Sequence, residues 1–168
     1  LRTLFEKAIG GFYRYHLNPI IWKVKTGKPF YWAKSKATIG IENVFPSMKT
    51  DIVIDNVSKS NRITVDTKFT SVLRKGWHRT KTLKTEYIYQ MYSYLRSQEG
   101  QGDDLDNNSA GILLHPAIGE SIDESVFIQG HQMRFLTVDL TKSYQEIKQS
   151  LLAFVTVSYT HLRAHETD

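Results

Sequence analysis

The sequence contains no cysteine, and this absence excludes disulfide bonds, thiolate zinc sites and a cysteine nucleophile. It also lacks an apolar run long enough to span a bilayer, and its start does not have the pattern of a secretory signal peptide. These absences predict a cytoplasmic protein with no membrane partner.

Four sequence motifs of common enzyme classes are missing as well. The chain has no G-x-x-x-x-G-K-[ST] phosphate loop, no G-x-G-x-x-G dinucleotide turn, no H-E-x-x-H zinc helix and no G-x-S-x-G nucleophile elbow. Without a phosphate loop, the chain cannot power itself by hydrolysing nucleotides.

The 168 residues are enough for one domain with a substantial core, and the formal net charge is +5. Much of the positive charge falls in one stretch, which contains Arg74, Lys75, His78, Arg79, Lys81 and Lys84. A basic cluster of this kind favours a polyanion such as DNA. The alternative is a loop whose charges only keep the protein soluble.

Two short apolar runs at residues 52–54 and 63–65 are separated by a polar loop, a pattern typical of a β-hairpin. If the loop closes symmetrically, Ile54 pairs with Ile63, Ile52 pairs with Val65, and Asp51 lies opposite Asp66. Side chains alternate along a strand, so the isoleucines and Val65 share a core face, whereas the two aspartates and Lys68 share a face that presents charge.

Two carboxylates placed opposite each other repel, so the pair at Asp51 and Asp66 favours a bound cation between them. Mg²⁺ is commonly held by one or two carboxylates together with waters and substrate phosphate. On the same face, Lys68 can orient a water or offset charge that develops on phosphorus. The alternative is an exposed hairpin in which Asp-x-Lys is simply solvated.

The remaining pattern alternates helices with strands. It predicts helices at residues 3–17, 82–97 and 142–154, and strands at 20–24, 37–44, 110–115, 126–129 and 134–140. This order predicts an α/β fold with a central mixed β-sheet flanked by helices. On the second helix Gln90 and Tyr94 are four residues apart and project together, although an amphipathic core helix with polar edges explains them equally well.

The set formed by Asp51 and Asp66-x-Lys68 resembles the catalytic core of the PD-(D/E)xK nuclease superfamily. Gln90-x-x-x-Tyr94 resembles a motif of its RecB-like branch. Within that superfamily, the segments FEKAIGGFYRYHL, VDTKF, YQMYSYL and GILLHP are similar to the McrC-type subunit of McrBC modification-dependent restriction systems. One departure is Thr50, which stands before Asp51 where the motif has proline.

The resemblance implies a restriction-endonuclease-like core and an Mg²⁺-dependent endonuclease, with Mn²⁺ as a substitute. It implies metal ligation by Asp51, Asp66, the backbone carbonyl of Thr67 and Glu6, with Lys68 positioning water and Gln90 assisting. For DNA contact it points to Tyr94 together with the basic residues Arg74, Lys75, Arg79, Lys81 and Lys84. A separate McrB-like GTPase is the implied partner.

We predict one nuclease domain at residues 1–157, and we interpret the initial leucine as a sign that an N-terminal domain precedes it. Residues 158–168 break the helical pattern and are predicted to be a non-native tail, although His161 and His165 have the spacing of helical metal ligands. Two other functions fit the motifs: a RecB-like repair exonuclease, and a non-catalytic DNA-binding module.

Overall fold

The computed structural model describes residues 1–75 and 81–156 of the chain. The helices in this part are α1 (Arg2–His16), α2 (Thr85–Ser97) and α3 (Tyr144–Thr156), with short 3₁₀ helices at Ile41–Asn43 and Asp104–Asp106. The strands are β1 (Trp22–Thr26), β2 (Pro29–Phe30), β3 (Met48–Lys49), β4 (Ile52–Asn56), β5 (Asn61–Thr67), β6 (Leu73–Arg74), β7 (Thr82–Leu83), β8 (Ala110–Pro116), β9 (Asp123–Ile128) and β10 (His131–Val138).

Six of these strands form one mixed sheet in the order β1-β4-β5-β8-β10-β9. Strand β8 is parallel to both of its neighbours, β5 and β10, while the other pairs are antiparallel. The predicted α/β fold with a mixed central sheet flanked by helices, as in a restriction-endonuclease-like core, is confirmed.

The hairpin formed by β4 and β5 has the predicted register. Ile52 pairs with Val65 and Ile54 pairs with Ile63. The paired strands begin at Ile52, so Asp51 lies just outside the ladder. The pattern of apolar residues therefore predicted the strand register that places Asp51 and Asp66 at the same end of the sheet.

Both faces of the sheet carry an apolar core, because helices cover both. Helices α1 and α3 pack on one face, where Phe5, Ile9 and Leu151 meet Ile52 and other strand residues. Helix α2 packs on the opposite face through Met91, Tyr94 and Leu95 against Val53, Leu113 and Phe135. The prediction that the second face only presents charge was wrong, because α2 buries most of it.

Several predicted elements differ from the structure; for example, β9 and β10 each begin three residues before the strands predicted at 126–129 and 134–140. Residues 37–44 are not a strand: they contain the 3₁₀ helix Ile41–Asn43, and Ile39 is fully exposed, because β1 occupies the sheet edge beside β4. Helix α2 begins at Thr85 because Thr82–Leu83 pairs with Leu73–Arg74. Helix α3 begins after Ser143, whose hydroxyl and backbone N–H both donate to the carboxylate of Glu146 in a capping box.

Within the described residues, no helix combines the length and apolar character that crossing a membrane requires. The segment 158–168, predicted to be a non-native tail, lies outside the described residues.

Helix α2 packs tightly over Gly111 of β8, and this contact gives a stability prediction. A Cβ at Gly111 would lie 2.7 Å from Cγ of Met91 and 3.2 Å from Cδ1 of Leu95, whereas a Cβ at Gly11 of α1 would meet nothing within 4 Å. We expect Gly111→Ala to lower the free energy of unfolding by about 1–3 kcal/mol through overpacking. The matched control Gly11→Ala should raise it by about 0.5–1 kcal/mol, because alanine favours helix. Urea unfolding of both variants measures the difference, and equal values would contradict this packing.

Candidate active site

Strand β5 delivers Asp66 and the residue two positions later, Lys68, to one end of the sheet. Both residues are buried: 3% of the surface of Asp66 and 7% of the surface of Lys68 is exposed to solvent. Backbone pairing to the parallel strand β8 continues through Lys68, whose N–H donates to the carbonyl of Leu114 at 2.9 Å. The Lys68 ammonium lies 2.9 Å from Oδ2 of Asp66, so the two form a buried ion pair.

The second predicted carboxylate, Asp51, is fixed to the same strand by Thr67. Its Oδ2 accepts hydrogen bonds from the backbone N–H of Thr67 at 2.7 Å and from the Thr67 hydroxyl at 2.9 Å. Only the backbone carbonyl of Thr67 was predicted to belong to the site, and the anchoring role of its N–H and hydroxyl was not predicted. The two bonds hold Asp51 beside the Asp66-x-Lys68 segment.

Helix α2 completes the site through a chain of hydrogen bonds. The Lys68 ammonium donates to Oε1 of Gln90 at 2.8 Å, and Nε2 of Gln90 donates to the hydroxyl of Tyr94 at 2.8 Å. That hydroxyl in turn donates to the backbone carbonyl of Lys49 at 3.1 Å. The Gln-x-x-x-Tyr pair therefore orients the lysine, and the Tyr94 side chain is largely buried.

Two aromatic groups add to the surroundings of Lys68. Its ammonium lies 4.9 Å from the centroid of the Tyr87 ring, which also packs against His115. Burial, with the nearby charges of Lys84 and Lys68, lowers the pKa of His115 to about 4, so this histidine is neutral. Tyr87 and His115 are site neighbours that the sequence motifs did not identify.

The electrostatics of the site are dominated by buried negative charge. Burial raises the pKa of Asp66 to about 6, and the charge on Asp51 adds to that increase, while Lys68 opposes it. Burial and the same two carboxylates raise the pKa of Tyr94 to about 12. The two acids therefore carry negative charge that one ammonium only partly compensates.

These residues fit a divalent cation. The charge on Asp51 raises the cost of ionising Asp66, and a hard cation beside the two carboxylates would relieve that cost. Among residues 1–75 and 81–156, acids and histidines form no group of three or more that could hold a metal ion. Metal ligation by Asp51 and Asp66, and by Glu6 and the Thr67 carbonyl, stays a prediction.

A cleft of about 490 Å³ opens beside Asp51 and is lined by Glu6 as well. Three cationic side chains share its walls, namely Lys7, Arg14 and Lys49. These three residues were not predicted as a group, because Lys7 and Arg14 lie on α1 whereas Lys49 lies on β3. Their positions make this cleft a candidate path for a phosphate backbone.

The predicted DNA-binding stretch is less positive in the structure than in the sequence. Arg74 forms an ion pair with Glu86, and Lys81 forms one with Glu120. Lys84 donates to the Thr70 hydroxyl at 3.3 Å. Lys75 is exposed, and Arg79 lies outside the described residues.

Comparison with known proteins supports the resemblance seen in the motifs. Residues 1–116 match the family model described as McrBC 5-methylcytosine restriction system component. The chain is also 26% identical over 121 residues to the type IV methyl-directed restriction enzyme EcoKMcrBC of Escherichia coli K12. That match covers 72% of this chain and 33% of the relative, so the chain spans about a third of the relative's length. Because the family model covers more than half of its residues, this chain belongs to the McrBC family of 5-methylcytosine restriction system components.

Proposed function

We propose that this chain is the DNA-cleaving part of a modification-dependent restriction system and that it hydrolyses phosphodiester bonds. The observation that supports this most strongly is the buried ammonium of Lys68. It is held between Asp66 and Gln90, next to the second carboxylate, Asp51. A buried ammonium that contacts a carboxylate and an amide, with a second carboxylate beside them, suits reaction at a phosphate.

Asp51 and Asp66 are the residues that would hold a divalent metal, with Mg²⁺ as the expected ion and Mn²⁺ as a substitute. When bound, such an ion supplies positive charge to phosphate oxygens and activates water. Glu6 lines the same cleft and is proposed as a supporting group.

The role of Lys68 follows from its donors. An ammonium has three N–H groups, and among the described residues Asp66 and Gln90 take two of them. The third is available to a water or to a phosphate oxygen, where it would orient the nucleophile or offset developing charge. Tyr94 would act as a positioning residue, because it fixes the Gln90 amide that fixes Lys68.

DNA affinity is proposed to come from cations on both sides of the acids. Lys7, Arg14 and Lys49 line the cleft with Asp51, and the segment containing Arg74, Lys75 and Lys81 follows the active-site strand. Contacts of this kind bind the backbone without reading sequence. Choice of the modified target would therefore belong to another part of the system.

The proposed partner is a GTPase of the McrB type. The chain has no phosphate loop, so movement along DNA driven by nucleotide hydrolysis requires a separate protein. The name of the relative, a methyl-directed restriction enzyme, agrees with an assembly that cuts DNA after recognising methylation.

Substitutions in the lysine network test the nuclease proposal. We expect Asp66→Ala and Lys68→Ala to abolish cleavage of methylated plasmid DNA in Mg²⁺ with the GTPase partner, while DNA binding stays within a few-fold. Gln90→Ala should slow cleavage less, because Lys68 keeps Asp66. The control Lys59→Ala removes an exposed cation at the turn end of the same hairpin and should leave cleavage unchanged. Wild-type rates in the Asp66 and Lys68 variants would refute the nuclease proposal.

The carboxylate pair predicts a pH dependence of stability in EDTA. Because the pKa of Asp66 is raised to about 6, the folded protein retains a proton that the unfolded chain loses near pH 4. Stability should therefore fall by up to about 3 kcal/mol as pH rises from about 4 to about 6. The variant Asp51→Asn should lose less, because it removes the neighbouring charge. Its amide oxygen can still accept both bonds from Thr67.

Thermal melting of wild type and Asp51→Asn at pH 4 and pH 7 measures this effect. At pH 7 in EDTA the variant should melt higher than wild type, and millimolar Mg²⁺ or Mn²⁺ should raise the melting temperature of wild type much more than that of the variant. A variant that melts lower than wild type at pH 7 in EDTA would show that the Asp51 charge is compensated by cations of the cleft.

The two basic surfaces predict different salt dependences of DNA binding. The test uses two variants, each with three glutamine substitutions. One variant changes the cleft residues Lys7, Arg14 and Lys49. The other changes Arg74, Lys75 and Lys81. The cleft variant should lose more affinity and lower the slope of log K against log salt by up to about 0.9 per lost phosphate contact. The second variant should lose less, because Arg74 and Lys81 already have acidic partners. The reverse order would place the DNA on the other surface.

A further inference from the structure

A second cavity lies beside the active site and is not used by the proposed chemistry. It has a volume of about 420 Å³ and lies between α2 and the segment 31–47. Its lining residues are Trp32, Ser47, Met48, Lys49, Gln90, Ser93 and Tyr94. Gln90 and Tyr94 are the groups that orient Lys68, so the cavity shares a wall with the active site.

The tryptophan in this cavity is exposed but held in one orientation. Trp32 is 37% exposed. Its indole N–H donates to the carbonyl of Pro46 at 3.2 Å, and its ring packs edge to face on Phe45 at 6.1 Å between centroids. The Lys34 ammonium lies 5.4 Å from the centroid of the Phe45 ring and pairs with Glu42 at 2.5 Å. These contacts make Trp32 a fixed aromatic surface open on one side.

The segment that carries Trp32 is also anchored to helix α2. The carbonyl of Tyr31 accepts hydrogen bonds from the side chains of Gln98 at 3.0 Å and Gln101 at 3.3 Å. The position of Trp32 relative to α2 is therefore constrained by this anchor at the neighbouring residue Tyr31.

The chemistry of the walls matches one nucleotide. Trp32 provides an aromatic face, Gln90 and two serines provide hydrogen-bonding groups, and Lys49 provides positive charge. None of the described residues that line the cavity is acidic. Aromatic side chains beside a cation are the usual means of binding single-stranded nucleic acid, because every base has a face that can stack.

Lys49 connects this cavity with the cleft of the two acids. Lys49 lines both spaces, and only Thr50 separates it from Asp51, so the two Cα atoms are at most roughly 7 Å apart. Lys49 is therefore the residue along which a DNA strand bound at the acids would continue toward the Trp32 cavity.

We propose that this cavity binds an unpaired nucleotide next to the phosphodiester that is cut, with its base stacked on Trp32. This inference rests on the proposed nuclease function. A base within a duplex already has neighbours on both faces, so stacking on Trp32 requires the base to leave the helix, as other enzymes that act on DNA achieve by extruding a nucleotide. The cut strand would be locally unpaired at this point.

Tryptophan fluorescence tests the stacking directly. The chain has three tryptophans, so the double variant Trp22→Phe/Trp77→Phe reports on Trp32 alone. In EDTA, where binding is measured without cleavage, a single-stranded oligothymidylate should quench this fluorescence at a lower DNA concentration than a blunt-ended duplex of the same length, because a base of the duplex must first be unpaired. Quenching by both DNAs at the same concentration, or none by either DNA, would overturn the proposal.

Affinity measurements give a second, independent test. We expect Trp32→Ala to weaken binding of the same oligothymidylate about tenfold, and Trp32→Phe to retain part of the affinity. The control Tyr89→Ala removes an exposed aromatic ring of α2 that does not line the cavity, and it should bind as wild type does. Melting curves show whether each variant folds, and wild-type affinity in folded Trp32→Ala would refute the stacking role.

Cleavage assays on the same variants separate this inference from the proposed function. If wild type cuts DNA and Trp32→Ala binds single strands normally, the nuclease assignment stands and the subsite is refuted. If single-stranded DNA quenches the fluorescence of Trp32 but neither the wild type nor any variant cuts DNA, the binding subsite stands and the nuclease assignment is refuted.

Discussion

The site depends on one buried ammonium group. Lys68 is buried almost completely. Its charge is stable there only because other groups replace the hydrogen bonds that water would provide. Asp66 supplies the opposite charge, Gln90 supplies an oxygen, and the face of Tyr87 supplies a further favourable surface. Each partner comes from strand β5 or helix α2, so the position of the ammonium defines how that helix must sit on the sheet.

The same strand also explains why the site and the core cannot be separated. Val65 packs into the core beneath α1 and α3, and the next residue, Asp66, points to the side covered by α2. If the register of the hairpin shifted by one residue, Asp66 would lie among the apolar side chains beneath α1 and α3, and Val65 would face α2. The register that builds the core is therefore also the register that builds the site.

Sequence patterns predicted the parts of the structure that are local or periodic. The hairpin register, the three helices and the pairing of Gln90 with Tyr94 follow from alternation and helical spacing. The sequence could not show that Thr67 holds Asp51, that Glu120 lies beside Lys81, or that Lys7, Arg14 and Lys49 share a cleft. These contacts depend on how separate elements are placed in space. Residues 37–44 were misassigned because a short apolar pattern does not reveal whether a sheet edge is available to it.

The two ends of the hairpin formed by β4 and β5 carry different groups of charged residues. One group stabilises the fold, and the other forms the candidate active site. At the turn end, buried Arg62 donates two hydrogen bonds to Asp55, at 2.7 and 2.9 Å, and further bonds to Asp106 at 2.8 Å and Asp103 at 3.0 Å. A guanidinium with four of its donors directed at carboxylates leaves little capacity for a ligand, and these partners raise the pKa of Arg62. At the other end, Asp66 forms an ion pair with the ammonium of Lys68, and burial nevertheless raises the pKa of Asp66 to about 6. The carboxylate of Asp66 therefore retains an affinity for additional positive charge, and its neighbour Asp51 lines the cleft that also contains Lys7, Arg14 and Lys49.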